Sequence, residues 1–311
     1  MNQINTVKIS ITGDLGSGKS SVCEILQQKY NLFRYSTGVI QREIAAKRSM
    51  TTYELNKYME THPEIDTEID DGLKALAKSE KSLVIDSRMA WHFVPNTFKV
   101  FLTVDVREAA RRIMIADRGN IEQYSSTEEA VQMLYARKES ENNRYKKQYN
   151  VDCSDLSNYD AVIDTTISEP EEIADLIMNL YEKYAQGLFV SKYWSSYKKM
   201  YPTQTVRNTN MDRVHEYENL LNEGNDIPDV MVLEDANRIY VFDGHHRVYA
   251  CANLGKNMIP YAIVGKTGDI LPNGIAVTCY VRNECNLTNI YDWEDMLGFR
   301  YLEYPEQARL K

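Results

Sequence analysis

The sequence predicts an α/β fold for its first half, a parallel sheet covered by helices, followed by a second, smaller α+β domain. Three observations support this. Strand-like apolar segments alternate with amphipathic helical segments up to about residue 185, and strands joined by helices pair in parallel. The first strand runs into a glycine-rich turn that opens a helix. Beyond Gly187 an aromatic segment replaces this alternation, which predicts domains over residues 1–185 and 186–311.

Each element of the first domain follows from hydrophobic period and flanking residues. β-branched and apolar runs predict the strands, at 7–12, 82–86, 98–104 and 161–164. Amphipathic spacing predicts the helices, at 20–30, 38–47, 65–78, 107–117 and 169–184. We expect the last helix to be capped by Ser168, with Glu171 three residues later and Pro170 at its first position.

The second domain begins with a predicted β-hairpin. Residues 229–233 and 238–242 have strand character, residues 243–246 form a sharp turn, and residues 247–254 read as a helix. The segment 267–311 shows no pattern that assigns a structure.

Composition limits the partners and the compartment. The 311 residues carry a net charge of −9, so neither domain offers the basic surface expected of a nucleic-acid binder. The sequence shows no signal-peptide pattern and no apolar stretch of membrane-spanning length. The five cysteines are scattered and never form a C-x-x-C pair. We therefore expect a cytoplasmic protein whose partners are small-molecule nucleotides, without nucleic acid or membrane; the oligomeric state stays open.

A complete phosphate-binding loop follows the first strand. The motif G-x-x-x-x-G-K-[ST] needs a strand before it and a helix after it, and both are predicted here. In such a loop backbone amides wrap the β-phosphate, an exposed Lys19 bridges the β- and γ-phosphates, and the Ser20 hydroxyl binds Mg²⁺. ATP and Mg²⁺ are therefore the predicted cofactors. The loop consists of Gly13, Asp14, Leu15, Gly16, Ser17, Gly18, Lys19, Ser20 and the adjoining Ser21.

Three further clusters are suited to a second phosphorylated substrate. Ser36 precedes a helix that carries Arg42, and a helix N-terminus with an arginine fork binds phosphate. Asp86 and Arg88 follow a buried strand, at the edge where α/β sheets bind ligands. The third cluster shares one helix face by its spacing i, i+4, i+7: Arg137, Glu141 and Arg144. A solvated face with an ion pair is the alternative for this last cluster.

Over residues 5–182 the chain resembles the short cytidylate kinases of the archaeal type and their bacterial relatives. The resemblance rests on five motifs in order, which are GDLGSGKSSV, YSTGVIQRE, HPEID at 62–66, DSR at 86–88, and RKESENNRYKKQYNVDCSDLSNYDAVIDTT at 137–166. It implies a P-loop kinase fold and transfer of the γ-phosphoryl group of ATP to CMP or dCMP.

The resemblance also implies roles for individual residues. Ser36, Arg42 and Arg144 would hold the acceptor phosphate, whereas Arg137 and Glu141 would face the acceptor sugar. Arg88, beside Asp86, would contact the pyrimidine. Two arginines would belong to a lid that closes on the donor nucleotide, Arg112 and Arg118. Catalysis would then depend on positively charged side chains, namely Lys19, Arg112, Arg118, Arg137 and Arg144.

The second domain resembles the ParB/sulfiredoxin-like domain between residues 201 and 264. The matching segments are PTQTVRNTNMDRVHEYENLLNEG, DIPDVMVL and YVFDGHHRVYACANLGKNMIPYAIV. The resemblance implies that a turn binds nucleotide phosphates, and this turn comprises Asp243, Gly244, His245, His246 and Arg247. His245 stands where sulfiredoxins have their reactive cysteine, so that activity is not expected. Some relatives phosphorylate free serine, for which Glu216 is a candidate base. A domain that only binds a nucleotide or packs on the kinase is the alternative.

Two other functions remain open from the sequence. The chain could be a kinase for another small acceptor. It could instead be a nucleotide-sensing regulator, in which the P-loop domain binds without turnover.

Overall fold

The computed structural model describes residues 6–115, 124–306 and 308. It divides into two units, Met1–Val190 and Ser191–Lys311.

The described part of the first unit contains a five-stranded parallel sheet in the order β2-β3-β1-β4-β5. The strands β3 and β5 carry short apolar runs, as expected for strands that helices cover on both faces. Ile9, Ile11, Val84 and Ile85 are completely buried. The strands are β1 (Lys8–Gly13), β2 (Phe33–Ser36), β3 (Leu83–Asp86), β4 (Phe98–Thr103) and β5 (Ala161–Asp164). Four of them were predicted within two residues, and β2 was missed.

Helices separate these strands in the chain. The first ones are α1 (Lys19–Tyr30), α2 (Thr37–Lys47), α3 (Thr52–Met59) and α4 (Pro63–Ala77). The others described in this unit are α5 (Ala90–Phe93), α6 (Val106–Ile115), α7 (Thr127–Tyr149) and α8 (Pro170–Ala185). The predicted cap of α8 is wrong: Glu169 is the N-cap and makes no side-chain cap bond, although Pro170 does occupy the first turn.

Three strand ends position the candidate site. β1, β2 and β3 run in parallel and end at Gly13, Ser36 and Asp86. These residues lie at the carboxyl edge of the sheet, where open α/β sheets bind ligands. After β1 the chain passes through the phosphate loop into α1, and after β2 it turns directly from Ser36 into α2.

The second unit contains a mixed sheet, described in the order β6-β10-β8-β9-β7. The predicted hairpin is observed as β8 and β9, which pair antiparallel around Ala236 and Asn237. Both turn residues have positive φ, 48° and 60°, as a two-residue hairpin turn requires. The strands are β6 (Tyr193–Ser196), β7 (Met200–Tyr201), β8 (Val230–Asp235), β9 (Arg238–Asp243) and β10 (Met258–Lys266).

The described helices of this unit include three that sequence patterns did not assign. They are α9 (Met211–Asn222), α10 (His245–Asn253), α11 (Val277–Glu284) and α12 (Leu287–Leu297). α10 begins two residues earlier than predicted, so both histidines lie in its first turn. Trp293 of α12 is 1% exposed within the core. Among the described residues, no helix combines the length and hydropathy that crossing a membrane requires.

Candidate functional site

The phosphate loop leads from β1 into α1 through three glycines with positive φ. Gly13 has φ 150°, and a Cβ atom there would lie 2.2 Å from the Leu102 carbonyl oxygen of β4. Gly16 and Gly18 have φ values of 79° and 80°. Gly18 is the N-cap of α1, and among the described residues no atom beyond Gly18 and its two chain neighbours lies within 4 Å of the position that its Cβ would take. The loop thus presents the amides of a helix N-terminus beside open space, which is a phosphate-binding geometry.

Lys19 folds back over this loop instead of standing exposed. Its ammonium group donates to the carbonyl oxygens of Gly13 at 2.9 Å and Asp14 at 2.7 Å. Burial first, and the nearby Arg88 second, lower the pKa of Lys19 to about 8, against the opposing effect of neighbouring carboxylates. Anionic phosphates would favour the charged form of this side chain.

Ser20 and Ser36 meet at one carboxylate. The Oδ2 atom of Asp86 accepts hydrogen bonds from both hydroxyls, each at 3.1 Å. Asp86 is 6% exposed. The hydroxyl and the carboxylate are hard oxygen ligands, as Mg²⁺ prefers, so the residues present fit the predicted ion. Asp86 was predicted with the acceptor cluster, and the structure also joins it to the phosphate loop.

Glu141 is the centre of the arginine cluster. It is 2% exposed, forms an ion pair with Arg88, and accepts from Nε of Arg137 at 3.0 Å. Burial alone would raise the pKa of Glu141, but the guanidinium groups, Arg88 first, hold it below its ordinary value. Arg88 also donates to the Gly13 carbonyl oxygen at 3.2 Å. The predicted helix face is therefore a buried, charged network that reaches the phosphate loop.

Arg144 lies deeper than the sequence indicated. It is 7% exposed, and its Nε lies 2.9 Å from Oδ2 of Asp66 in α4. Its Nη1 donates to the backbone oxygen of Asn56 at 3.3 Å and to the Asn56 side-chain oxygen at 3.2 Å. Asp66 and Asn56 were not predicted as partners, because α3 and α4 are distant from Arg144 in sequence and only folding brings them together.

Arg42 is exposed in the middle of α2. A Cβ atom on Gly38 would lie 3.7 Å from Nη1 of Arg42 and 3.8 Å from the Ser36 hydroxyl oxygen. The guanidinium of Arg42 and the hydroxyl of Ser36 therefore both lie near Gly38.

Of the two predicted lid arginines, Arg112 lies beside the phosphate loop. Its Nη2 donates to the carbonyl oxygens of Thr165 at 2.7 Å and Thr166 at 3.1 Å. The Thr165 hydroxyl in turn donates to the Ser17 carbonyl oxygen at 3.0 Å. Arg118 lies outside the described residues. Of the other loop residues, Leu15 packs against the α6–α7 cluster, and Ser21 is exposed in the first turn of α1.

One contact of the loop was not predicted. The ammonium group of Lys138 in α7 lies 2.7 Å from Oδ1 of Asp14. The sequence held one signal for this contact. Lys138 lies three residues before Glu141, and residues i and i+3 are neighbours on a helix, so Lys138 could have been placed beside the predicted cluster.

In the second unit, the predicted turn holds its arginine internally. Gly244 is the N-cap of α10 with φ 109°. Arg247 is 7% exposed, and its guanidinium contacts the carbonyl oxygens of Pro228 and Asp229. Its Nη2 also donates to Asp243 at 2.5 Å. The guanidinium of Arg247 thus already has carbonyl oxygens and a carboxylate of the protein as partners.

The two histidines of the turn differ. His245 is buried and accepts from the Thr203 backbone N–H through Nε2 at 3.2 Å, and burial lowers its pKa to about 4. His246 is half-buried; burial first, and the charge of Arg213 second, lower its pKa. Glu216 lies exposed on α9.

Comparison with known proteins places the first unit among nucleotide kinases. The model of the cytidylate kinase-like family matches residues 8–167. Cytidylate kinase of Thermoplasma volcanium is 35% identical over 177 residues, which cover 56% of this chain and 90% of that protein. Cytidylate kinase of Pyrococcus abyssi is 36% identical over 180 residues, covering 56% of this chain and 96% of that protein.

Two other similarities are partial. An S-adenosylmethionine-dependent nucleotide dehydratase of Lacinutrix mariniflava is 36% identical over 177 residues, and the chain spans only 36% of its length. Among solved structures, shikimate kinase of Bacteroides thetaiotaomicron is 19% identical with a TM-score of 0.41, covering 57% of this chain and 98% of that one.

Proposed function

The chain belongs to the cytidylate kinase-like family, and on that premise we propose that it transfers the γ-phosphoryl group of ATP to the 5′-phosphate of CMP or dCMP. One observation carries the proposal: Asp86 accepts hydrogen bonds from Ser20 of the phosphate loop and from Ser36 at the start of α2. The donor loop and the predicted acceptor residues thus meet at a single carboxylate.

On the donor side, the loop amides and Lys19 hold the phosphates of ATP. At pH 7 Lys19 is protonated, since its pKa is about 8, and bound phosphates strengthen that state. Ser20 and Asp86 would hold Mg²⁺. Magnesium bound there supplies neutralisation of the phosphate charge.

On the acceptor side, Ser36, Arg42 and Arg144 bind the 5′-phosphate, whereas Arg137 and Glu141 orient the sugar. An oxygen of the acceptor phosphate attacks the γ-phosphorus in line, the bond from that phosphorus to the bridging oxygen breaks, and ADP leaves with the electron pair. Arg112 neutralises charge from beside the phosphate loop, and the resemblance implies the same role for Arg118. The chain's residues therefore act by positioning and by electrostatics, without a covalent intermediate.

A coupled ATP-consumption assay on the full chain tests this proposal. The acceptors are CMP, dCMP, UMP, AMP and GMP, each with ATP and Mg²⁺. We expect the highest kcat/KM for CMP or dCMP. A higher kcat/KM for UMP, AMP or GMP would indicate a kinase for another small acceptor. Nucleotide binding without ATP consumption would indicate the sensing regulator.

For the second unit we propose a ParB/sulfiredoxin-like role in binding nucleotide phosphates at residues 243–247. The N-terminus of α10 supports this, since its cap is Gly244 and no side chain caps it, and uncapped amides at a helix N-terminus can bind anions. Calorimetric titration of ATP into the full chain would then give two sites, and Arg247→Ala would remove one. A single site in both proteins would make the turn structural. Cytoplasmic location stays a prediction.

A further inference from the structure

The ion pair between Asp14 and Lys138 joins the phosphate loop to the helix of the acceptor cluster. The ammonium nitrogen and Oδ1 are 2.7 Å apart, and the side chains of Lys138 and Asp14 are 43% and 19% exposed. Asp14 uses a different group to contact Lys19, because its backbone oxygen accepts from that ammonium group. One residue of the loop is thus bonded both to the lysine of the phosphate motif and to α7.

A second route connects the same two elements. Glu141 of α7 pairs with Arg88, and Arg88 donates to the Gly13 carbonyl oxygen. The first two residues of the loop are therefore each tied to α7, Gly13 indirectly and Asp14 directly. α7 also carries Arg137 and Arg144, which the proposed function assigns to the acceptor.

We propose that Lys138 is a positioning residue that, through Asp14, sets the distance between the donor phosphates and the acceptor site. The inference rests on the proposed phosphoryl transfer. We propose no direct contact between Lys138 and a substrate. Its effect is on alignment, and in-line transfer depends steeply on alignment, since a displacement of about 1 Å can cost about 10²-fold in rate.

Folding stability and alignment should respond differently to loss of this pair. A partly exposed ion pair contributes little to stability, so the melting temperature should change by no more than about 2 °C. A matched pair provides the control: Lys29 of α1 lies 2.7 Å from Asp175 of α8, with side chains 42% and 46% exposed. That pair joins two helices and does not involve the phosphate loop.

The test uses full-length Lys138→Met, Asp14→Asn, the double variant, Lys138→Arg and the control Lys29→Met. We expect each single change to lower kcat about tenfold while the KM values for ATP and acceptor stay within about twofold. The double variant should be no slower than either single variant, because both remove one interaction. Lys138→Arg should recover most of the rate, and Lys29→Met should match the wild type. Additive losses, or a rise in the KM for ATP in Lys138→Met alone, would overturn the proposal.

A binding measurement separates this inference from the proposed reaction. ADP should increase the affinity for the acceptor monophosphate in the wild type, and Lys138→Met should reduce that coupling while Lys29→Met leaves it intact. If the chain transfers no phosphate but Lys138→Met still reduces this coupling, the proposed reaction is refuted and the inference stands. Normal transfer and normal coupling in Lys138→Met would refute the inference alone. Absence of all nucleotide binding would refute both.

Discussion

Two strand–turn–helix segments of this chain share a local pattern but differ in how their cation is used. In the first, β1 leads through a glycine cap with φ 80° into α1, and in the second, β9 leads through a glycine cap with φ 109° into α10. Lys19 follows the first cap and is half-buried, bonded to two carbonyl oxygens of its own loop. Arg247 follows the second cap and is buried against two carbonyl oxygens and a carboxylate.

The space beside each glycine shows what this difference means. Beyond Gly18 and its two chain neighbours, no atom of the described residues lies within 4 Å of the Cβ position of Gly18, whereas a Cβ atom on Gly244 would lie 2.9 Å from the Arg247 guanidinium carbon. The first turn leaves room for a ligand, and the second is filled by the protein's own side chain. A glycine turn before a helix therefore does not by itself identify a binding site; the partners of the nearest cation are the more informative observation. The comparison predicts that loss of Lys19 affects turnover more than stability, whereas loss of Arg247 lowers stability as well as the proposed nucleotide binding at this turn.

The largest expected effect tests the idea that a cation with partners inside the protein is mainly structural. Arg144 of the first unit is buried and paired like Arg247, yet it was predicted to bind substrate. Arg144→Ala leaves Asp66 buried without its cation, so the free energy of unfolding should fall by about 3–5 kcal/mol. Chemical denaturation followed by tryptophan fluorescence measures this. Adding Asp66→Asn should recover most of the stability. If acceptor affinity also recovers in that double variant, Arg144 has only a structural role.

The exposed Arg42 provides the matched comparison. Arg42→Ala should leave the melting temperature nearly unchanged and raise the KM for the acceptor about tenfold or more, since a hydrogen bond to a charged group contributes about 1.5–3 kcal/mol. The KM for ATP should not change. Equal changes for both substrates would place Arg42 outside the acceptor site.

The effect expected for Lys19→Met is next in size to that of Arg144→Ala. We expect kcat to fall by about 10²–10³-fold, because a preorganised cation is removed from the developing phosphate charge. The unfolding free energy should decrease by only about 1 kcal/mol for the lost carbonyl hydrogen bonds. Unchanged turnover would contradict the assignment of the phosphate loop.

Arg247→Met is the corresponding change in the second unit and should have the opposite profile. Its loss removes the charged donor to the carbonyl oxygens of Pro228 and Asp229, and hydrogen bonds from a charged group contribute about 1.5–3 kcal/mol of stability. Kinase turnover at 25 °C should stay at the wild-type value. A stable Arg247→Met protein would show that the contacts to Pro228 and Asp229 are dispensable, and would favour a ligand-binding role for this arginine.

Local signals in the sequence predicted most of the first unit and the composition of its site. Buried strands and the glycine loop are short-range patterns, and the i, i+4, i+7 spacing correctly placed Arg137, Glu141 and Arg144 on one face. The pairing of Arg144 with Asp66 was not predictable, because it depends on how α4 packs against α7. In the second unit, the N-cap of α11 is Ala276, which makes no side-chain cap bond, so no start signal was present. α12 did carry one, since the Asn286 side chain accepts from the Asn289 N–H.

The smallest expected effect concerns the acid stability of the second turn. Burial lowers the pKa of His245 to about 4 from the ordinary 6.5, so between these values the unfolded chain binds more protons than the folded protein. Stability contributed by neutral His245 is therefore complete above pH 6.5 and is lost as the pH falls toward 4. From pH 7 to 5.5 the loss should be about 1 kcal/mol.

The indole of Trp293 lies 5.8 Å from the His245 ring, so tryptophan fluorescence can follow urea unfolding of this region at each pH. His245→Gln should flatten the pH dependence, because the group that titrates is gone. The exposed His215 on α9 provides the control, and His215→Gln should keep the wild-type slope. If His245→Gln retains the full acid sensitivity, another group carries it, and the buried histidine is not what distinguishes this turn from the phosphate loop.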